Sequence, residues 1–374
     1  MPKTAQAVAE SFRENILAVA DEIDTTRSLT DDIVAGLKKA GAFRLLIPQK
    51  FGGLEAPFLD YLGAVQTYAE ADASTAWCVN QGAVIGTTSV WLQPEAIHEI
   101  WDDPAACVAN GPPGKCVAEP VGDVWRLSGR WGFSSGCRHA TWMTGAARVK
   151  DSKRWVSSFF PKSQATFYDT WDVQGLRGTA SYEFSVERLE IENRFVADLS
   201  GVAQHDGVYY RLPTGLVFAV SFASVALGVA RAALDAVFDL AQGKFPRFGT
   251  QVLKDDPDVQ KLLGEAEIRW RAGRAFLYDT VSDVLDKLGD QDAIADDQRI
   301  ALRMTGTHVI REAAAALDLA YTVAGSSSIY RSNPLQRRFQ DMHVITQHVQ
   351  GRLQYYGLVG RYYLGHPFVP GPLT

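Results

Sequence analysis

One uncharged run, Leu212 to Ala230, restricts the possible folds of this chain more than any other feature of its sequence. Nineteen residues without a charged side chain are long enough for a membrane-spanning helix. The run nevertheless contains a proline, two glycines and three hydroxyl residues, and long amphipathic segments follow it. We therefore predict a buried central helix of a helical bundle, and no membrane partner.

Four long helical runs occupy the C-terminal part of the chain. They are predicted at Pro213–Gly243, Pro257–Leu288, Ala295–Val323 and Pro334–Leu364. Each begins near a proline or an acidic residue, and most end near a glycine, which is the usual asymmetry of helix ends. A helix of about thirty residues extends about 45 Å. Four such helices predict a four-helix bundle.

Two other patterns precede the bundle. The sequence from about Ala5 to Trp101 is alanine-rich with helical periodicity, whereas short alternating segments separated by turn residues fill the following hundred residues. The predicted fold class is therefore α+β, mainly α. We predict a helical domain at 1–106, a small β-barrel domain at 107–206 and the four-helix bundle at 207–374.

Composition and charge exclude several classes of function. The chain has 374 residues, 47% hydrophobic and 21% charged, as in an ordinary globular protein. A net charge of -6 without a basic stripe argues against nucleic-acid binding. The N-terminus lacks the apolar segment of a secretory signal. The four cysteines lack the C-x-x-C spacing of a metal or redox site, so we expect a cytoplasmic protein without a metal.

Glycines, hydroxyls and aromatic rings concentrate between Ser128 and Met143. Such a mixture lets backbone and hydroxyl groups approach a flat ligand closely. Within it, Gly132–Gly136 fits the G-x-S-x-G pattern of a serine hydrolase, and Asp341 and His348 follow in the order of a catalytic triad. In such a hydrolase the serine lies in a sharp turn with a helix directly after it, whereas a strand-like run follows here. Hydrolysis is therefore the least supported alternative.

The order of helical front, β domain and long helical back resembles the acyl-CoA dehydrogenase superfamily. Three segments resemble motifs of that family: Phe43–Gly53 its early Pro and Gly-Gly segment, Ser128–Gly136 its flavin-contacting segment, and Trp171–Ser181 the segment before its last β-hairpin. The Trp-x-Phe-Ser-Ser-Gly sequence, and Pro334–His343 followed by His348, are similar to the two-component flavin monooxygenases of this fold, such as phenol and indole hydroxylases.

A catalytic base distinguishes the dehydrogenases of that family from its monooxygenases. Acyl-CoA dehydrogenases of the commonest type remove the α-proton with a glutamate, and Ser332 occupies the matching position here. A serine hydroxyl without an activating partner cannot remove a weakly acidic C–H proton at a useful rate. Since some dehydrogenases keep this base on another helix, an acyl-CoA dehydrogenase or oxidase remains the enzymatic alternative.

The resemblance implies two catalytic residues. Ser135 aligns with a threonine whose hydroxyl faces the flavin N5, where it would stabilise reduced flavin or a C4a-hydroperoxide. The alternative is a turn serine that bonds its own backbone. His348, on the last long helix, would polarise a substrate hydroxyl or ring N–H. Related hydroxylases often carry a second histidine where Ala83–Val90 has none, which leaves a ring such as indole open.

The resemblance also implies a flavin site. Its cofactor-binding candidates are Phe133, Ser134 and Ser135 along the ring, Asn110 and Gly114 at the pyrimidine edge, and Arg247 and Arg337 at a phosphate. Arg247 would reach that phosphate across a subunit interface. No nicotinamide-binding fingerprint is present, so reduced flavin is expected from a separate reductase.

The expected reaction uses reduced FAD or FMN and O2 to hydroxylate or epoxidise a small aromatic substrate. Phenols, indoles and aromatic acids such as indole-3-acetate are the candidates. The fold implies a homotetramer. The sequence does not decide between FAD and FMN, or between hydroxylation and epoxidation.

Overall fold

The computed structural model describes residues 4–371 and 373–374. The first three residues of the predicted N-terminal domain, and Pro372 of the predicted bundle, therefore lie outside the described part. Within it, helices, strands and helices follow one another in the predicted order.

The N-terminal region is helical, and its most deeply buried helix supplies one wall of the site. Its helices are α1 (Ala5–Thr26), α2 (Asp31–Ala40), α3 (Phe58–Ala71), α4 (Ala73–Gly86) and α5 (Pro94–Trp101). Every residue of α4 except Gln81 is buried. Asp72 caps this helix by accepting the backbone N–H of Thr75 at 2.7 Å and its hydroxyl at 2.8 Å.

The sequence from Phe43 to Pro48 predicts a short extended link, but the structure forms turns here. A short 3-10 turn begins at Ala42, because the buried side chain of Arg44 draws the chain back. Its guanidinium donates to the carbonyls of Gly52 and Trp101, at 3.1 Å each. Buried donors must find acceptors, and an extended strand would leave this guanidinium without them.

The middle of the chain forms one eight-stranded sheet with the order β6-β7-β3-β2-β4-β5-β8, and β1 pairs with β4. The strands are β1 (Val108–Asn110), β2 (Val117–Val121), β3 (Val124–Ser134), β4 (Trp142–Val149), β5 (Trp155–Pro161), β6 (Thr166–Tyr168), β7 (Tyr182–Glu192) and β8 (Val196–Ala197). The β3–β7 register shifts between Trp131 and Ser134. Such an irregularity redirects the end of a strand, and here it redirects Phe133 and Ser134.

The C-terminal region contains α6 (Thr214–Gly243), α7 (Pro257–Gly289), α8 (Asp296–Ala324), α9 (Pro334–Gln347) and α10 (Gln354–Tyr363). All but the first two residues of the uncharged run lie in α6, and 89% of the most apolar window of this helix is buried inside the protein. The prediction of a core helix is confirmed. Gly306 of α8 allows close packing, since a Cβ there would lie 2.7 Å from the carbonyl oxygen of Ala219 on α6.

The predicted fourth long helix, 334–364, is wrong because the chain breaks after α9. A 3-10 turn at Val349–Gly351 separates α9 from α10. Two arginines of α8 donate hydrogen bonds to backbone carbonyls in this break: Arg303 to Gln350 and Arg311 to Gly351, each at 2.8 Å. Those carbonyls are thereby satisfied without a continuing helix. His348 has extended backbone angles in the break and does not lie on a helix.

Candidate active site

Three elements converge on Trp77 of α4. Its indole N–H donates to the Ser135 hydroxyl at 3.0 Å. Its ring stacks on Phe222 of α6 with 3.9 Å between centroids, and it meets the His348 ring edge-on at 5.2 Å. The structure therefore brings the two predicted catalytic residues together through a tryptophan that contacts both.

His348 is a neutral imidazole in an aromatic corner formed by Trp77 and Phe222. Its ring lies 4.7 Å from the Phe222 ring, and Nδ1 accepts a long hydrogen bond, 3.5 Å, from the backbone N–H of Gln350. Burial and the positive charges of Arg303 and Arg352 lower the pKa of His348 to about 4. With Nδ1 as acceptor, the proton of the neutral ring resides on Nε2, which can donate to a ligand.

Ser135 does not bond its own backbone through its side chain. Its hydroxyl is 6% exposed and has two side-chain partners: it accepts from Trp77, and it lies 2.7 Å from the Ser181 hydroxyl. The hydroxyl is thus held in place at the edge of the aromatic corner.

Phe133 and Ser134 differ sharply in exposure. The Phe133 ring is 68% exposed, sits edge-on to Trp171 at 6.0 Å, and has a backbone φ of 51°. A left-handed conformation is uncommon for a bulky residue and is found preferentially at functional sites. The Ser134 hydroxyl is fully buried and has no hydrogen-bond partner among the described residues. A Cβ at Gly111 would lie 2.6 Å from that oxygen, so only glycine fits beside it.

Asn110 and Gly114 lie beside the same end of β3. The Asn110 side-chain oxygen accepts a hydrogen bond from the Gln81 side chain at 2.5 Å. Gln81 lies one helical turn after Trp77 in α4. The Gly114 N–H donates to the carbonyl of Arg130 at 3.1 Å. Five of the seven predicted cofactor-binding residues therefore surround one strand end.

The two predicted phosphate ligands lie elsewhere in the chain. Arg247 is exposed in the loop between α6 and α7, with its guanidinium 5.1 Å from the Phe248 ring centroid. Arg337 pairs with Asp21 of α1. Neither hydrogen-bonds to residues 133–135 in the described part of the chain. Their role at a flavin phosphate stays a prediction.

The hydrolase alternative fails on geometry. A turn and then β4 follow Ser135, so the required helix is absent from this stretch of the described chain. Asp341 is buried and accepts the backbone N–H of Leu176 at 2.6 Å, without a hydrogen bond to His348. Burial, assisted by the negative charge of Asp72, raises the pKa of Asp341 to about 7.

The position of the dehydrogenase glutamate also lacks a base. Ser332 is exposed and lines a cavity of about 420 Å³ with Ala236, Leu240, Ser327, Tyr330, Asn333 and Pro334. It precedes α9, whose 14 residues separate it from His348 by about 21 Å along the axis. Among the described residues no carboxylate hydrogen-bonds to Ser135 or His348.

Sequence reasoning missed Trp77, Gln81 and Phe222. Trp77 and Gln81 stand four residues apart in a helix of small residues, and this spacing places both on one helix face. That signal was available from the sequence. Phe222 was indistinguishable within the uncharged run, because burial alone explains an aromatic residue there.

The geometry fits a flat ring with hydrogen-bonding edges. The exposed Phe133 ring adjoins Ser134, whose buried hydroxyl has no hydrogen-bond partner among the described residues, and Gly111 packs closely against Ser134. Fold and site together are those of an acyl-CoA dehydrogenase-type flavoprotein. The chain matches the family models for the N-terminal domain of acyl-CoA dehydrogenase over residues 3–92 and for its C-terminal domain over residues 220–352.

The chain is 31% identical to the indole-3-acetate monooxygenase of Pseudomonas putida, over 100% of this chain and 98% of that protein. It is 27% identical to the oxygenase subunit HsaA of a flavin-dependent monooxygenase from Rhodococcus jostii, over 87% of this chain and 88% of that protein. The chain thus belongs to the flavin-dependent monooxygenase branch of the acyl-CoA dehydrogenase superfamily.

Solved structures agree on the fold. The HsaA monooxygenase of M. tuberculosis superimposes with a TM-score of 0.91 at 24% identity, over 100% of both chains. XiaF from Streptomyces sp., solved with FADH2 and glycerol, superimposes with a TM-score of 0.90 at 22% identity, over 98% of this chain and 96% of that one. The predicted fold class and enzyme class are confirmed.

Proposed function

We propose that this enzyme receives reduced flavin from a separate reductase and, with O2, oxygenates a small aromatic acid of the indole type, with indole-3-acetate as the specific candidate. The observation that carries this proposal is the aromatic corner of Trp77, Phe222 and His348 beside the Ser135 hydroxyl. Bound reduced flavin supplies the electrons that activate O2. Two relatives are named indole-3-acetate monooxygenases, from Pseudomonas putida and Acinetobacter baumannii.

The protein's own residues bind and orient the two ring systems. Phe133 supports the flavin ring, while the backbone of Ser134 and the side chain of Asn110 offer hydrogen bonds at its edge. Trp77, with the buried Phe222 ring packed behind it, lines the substrate side with apolar surface and excludes water.

His348 selects the polar group of the substrate. Its neutral ring donates from Nε2, so the substrate must present an acceptor there, such as a carboxylate or a hydroxyl oxygen. A bare indole N–H is a donor and cannot take that hydrogen bond. An aromatic acid therefore satisfies the corner better than indole itself.

We further propose that the enzyme is a homotetramer in the cytoplasm. The α6–α7 loop exposes the Phe248 ring at 94%, next to Arg247. The Phe245 ring of the same loop is 61% exposed, and two exposed rings in one loop are typical of an interface. A neighbouring subunit would bring Arg247 to a flavin phosphate. All four cysteines are free and buried, which suits a reducing compartment.

A substrate panel tests the proposal. The purified chain, supplied with FADH2 or FMNH2 by a generic flavin reductase, is incubated in air with indole-3-acetate, indole, phenol and an acyl-CoA. We expect a product heavier by one oxygen atom from indole-3-acetate, and less from indole. Formation of hydrogen peroxide alone with every aromatic compound, or reduction of bound flavin by the acyl-CoA, would contradict the proposal.

A further inference from the structure

The Ser135 hydroxyl and two hydroxyl groups behind it form a buried row. The Ser135 oxygen lies 2.7 Å from that of Ser181, which lies 2.7 Å from that of Thr179. Thr179 in turn lies 2.8 Å from the carbonyl oxygen of Leu176. The three hydroxyl residues are each at least nine-tenths buried, so water does not replace these hydrogen bonds.

The row has a defined direction. A hydroxyl carries one proton, and a carbonyl oxygen only accepts. Thr179 therefore donates to Leu176, which requires Ser181 to donate to Thr179 and Ser135 to donate to Ser181. The indole N–H of Trp77 donates to Ser135 from the other side. In this arrangement the Ser135 proton points into the protein and is not offered to a ligand.

Rotation of the three hydroxyls reverses the row and gives up only the hydrogen bond from Thr179 to Leu176. Thr179 then donates to Ser181, Ser181 donates to Ser135, and Ser135 is free to donate outward. The Leu176 carbonyl is not orphaned, because it also accepts the indole N–H of Trp171 at 3.1 Å. Ser135 keeps the hydrogen bond from Trp77 in both directions. Both arrangements satisfy every hydroxyl of the row once an acceptor stands before Ser135.

We propose that Thr179 and Ser181 are positioning residues that form a reversible hydrogen-bond relay with Ser135, directed inward in the free enzyme and outward when a carbonyl oxygen of the reduced flavin ring lies at Ser135. This inference rests on the proposed use of reduced flavin. In the outward direction Ser135 donates a hydrogen bond to the cofactor, and the Ser135 oxygen accepts one from Ser181.

The surroundings hold both ends of the relay in place. The Gly136 N–H donates to the carbonyl of Thr179 at 2.9 Å, which ties the turn after β3 to the segment before β7. Leu176 has a φ of 51°, and its N–H donates to Asp341 of α9. Hydroxyl rotation is thus the motion available to the relay while its backbone stays fixed.

The test measures the anaerobic dissociation constant for reduced flavin, a readout that does not require turnover. Ser135→Ala removes the donor to the flavin and should weaken binding about three- to tenfold, whereas Ser181→Ala removes the inward acceptor that holds the Ser135 proton and should strengthen binding by a similar factor. The double variant should bind as weakly as Ser135→Ala, because Ser181 acts only through Ser135. Thr179→Val should also strengthen binding although Thr179 does not hydrogen-bond to Ser135, because Ser181 then lacks its inward acceptor, and Thr179→Ser should restore the wild-type affinity.

A matched control separates the relay from general loss of a buried serine. Ser158 of β5 is fully buried and its hydroxyl lacks a partner among the described residues, so Ser158→Ala should bind reduced flavin as the wild type does. Should Ser181→Ala fail to fold, Ser181→Thr keeps the hydroxyl and should bind normally, while Thr179→Val still reports on the relay.

Two outcomes overturn the relay while leaving the proposed function intact: wild-type or weaker affinity in Ser181→Ala or Thr179→Val, or effects of Ser135→Ala and Ser181→Ala that multiply in the double variant. Failure of the wild type to bind reduced flavin would instead contradict the proposed function.

Discussion

Trp77 contacts both Ser135 and His348, the two residues that the sequence predicted to be catalytic. It donates to Ser135 and packs edge-on against His348, so the orientation of both depends on one side chain. Ser135 and His348 were predictable because each lies in a motif that resembles a known family. Trp77 was not selected, because its partners come from distant parts of the chain and only the fold brings them together.

The first prediction separates the indole N–H of Trp77 from its ring. Trp77→Phe retains most of the contact with Phe222 but removes the donor to Ser135, so we expect a loss of about 1 kcal/mol in the free energy of unfolding. We also expect more hydrogen peroxide released per flavin oxidised. Oxygen consumption, product and peroxide are measured together. Wild-type coupling in Trp77→Phe would show that this hydrogen bond has no role in the reaction.

The second prediction concerns pH and His348. Its folded-state pKa of about 4 lies below the unfolded value of about 6.5, so its contribution to stability is present above pH 6.5 and is lost as the pH falls towards 4. When the pH falls from 6.5 to 5, the free energy of unfolding of His348→Gln should therefore fall by about 2 kcal/mol less than that of the wild type.

Urea unfolding at several pH values measures this slope. His139 serves as a comparison, because burial lowers its pKa to about 3 and it contributes in the same pH range. Each single variant should retain the contribution of the other histidine. An unchanged slope in His348→Gln would mean that His348 is protonated in the folded enzyme near pH 6.

At the level of elements, the decisive feature is the break between α9 and α10. The sequence periodicity continues through this region, so a single helix was the natural prediction. The cause of the break lies on α8, whose Arg303 and Arg311 take carbonyls at Gln350 and Gly351. A pattern within one segment cannot show donors that come from another, and the position of His348 off the helix was therefore unpredictable.

The third prediction tests this break. Arg303 is fully buried and lies over the Tyr355 ring at 4.1 Å, and burial lowers its pKa to about 10. Arg303→Met removes the donor to Gln350, so we expect a loss of about 3 kcal/mol in the free energy of unfolding. The KM for the aromatic substrate should rise because His348 is displaced.

Arg271→Met on α7 is the control, since the Arg271 side chain is 73% exposed and its ion pair with Glu267 contributes little. Unfolding curves and steady-state kinetics are compared for the two variants. If Arg303→Met behaved like Arg271→Met in both measurements, Arg303 would not hold the break.

For the whole molecule, the change in periodicity from helix to strand and back predicted the order of the parts. The uncharged run Leu212–Ala230 became the core helix α6, as its proline, glycines and hydroxyl residues indicated. What the sequence could not supply is the arrangement of chains, because an exposed arginine such as Arg247 has the same local pattern with or without a partner.

The fourth prediction concerns assembly. The double variant Phe245→Ser with Phe248→Ser removes both exposed rings of the α6–α7 loop. We expect it to form smaller species than the proposed tetramer and to bind reduced flavin more weakly, since Arg247 would no longer reach the flavin of a neighbouring subunit. Val202→Ser, at an 87% exposed position outside this loop, should leave the assembly unchanged. Sedimentation velocity decides, and a tetrameric double variant would contradict the role of the loop.

The central claim is that this enzyme inserts an oxygen atom from O2 into an aromatic substrate. The most direct measurement supplies the purified chain with reduced flavin, indole-3-acetate and ¹⁸O₂, followed by mass spectrometry of the product. Our account predicts a product that carries one ¹⁸O atom from O2, and no label when the isotope is supplied as H₂¹⁸O. Label from water, or a dehydrogenated product without added oxygen, would contradict it.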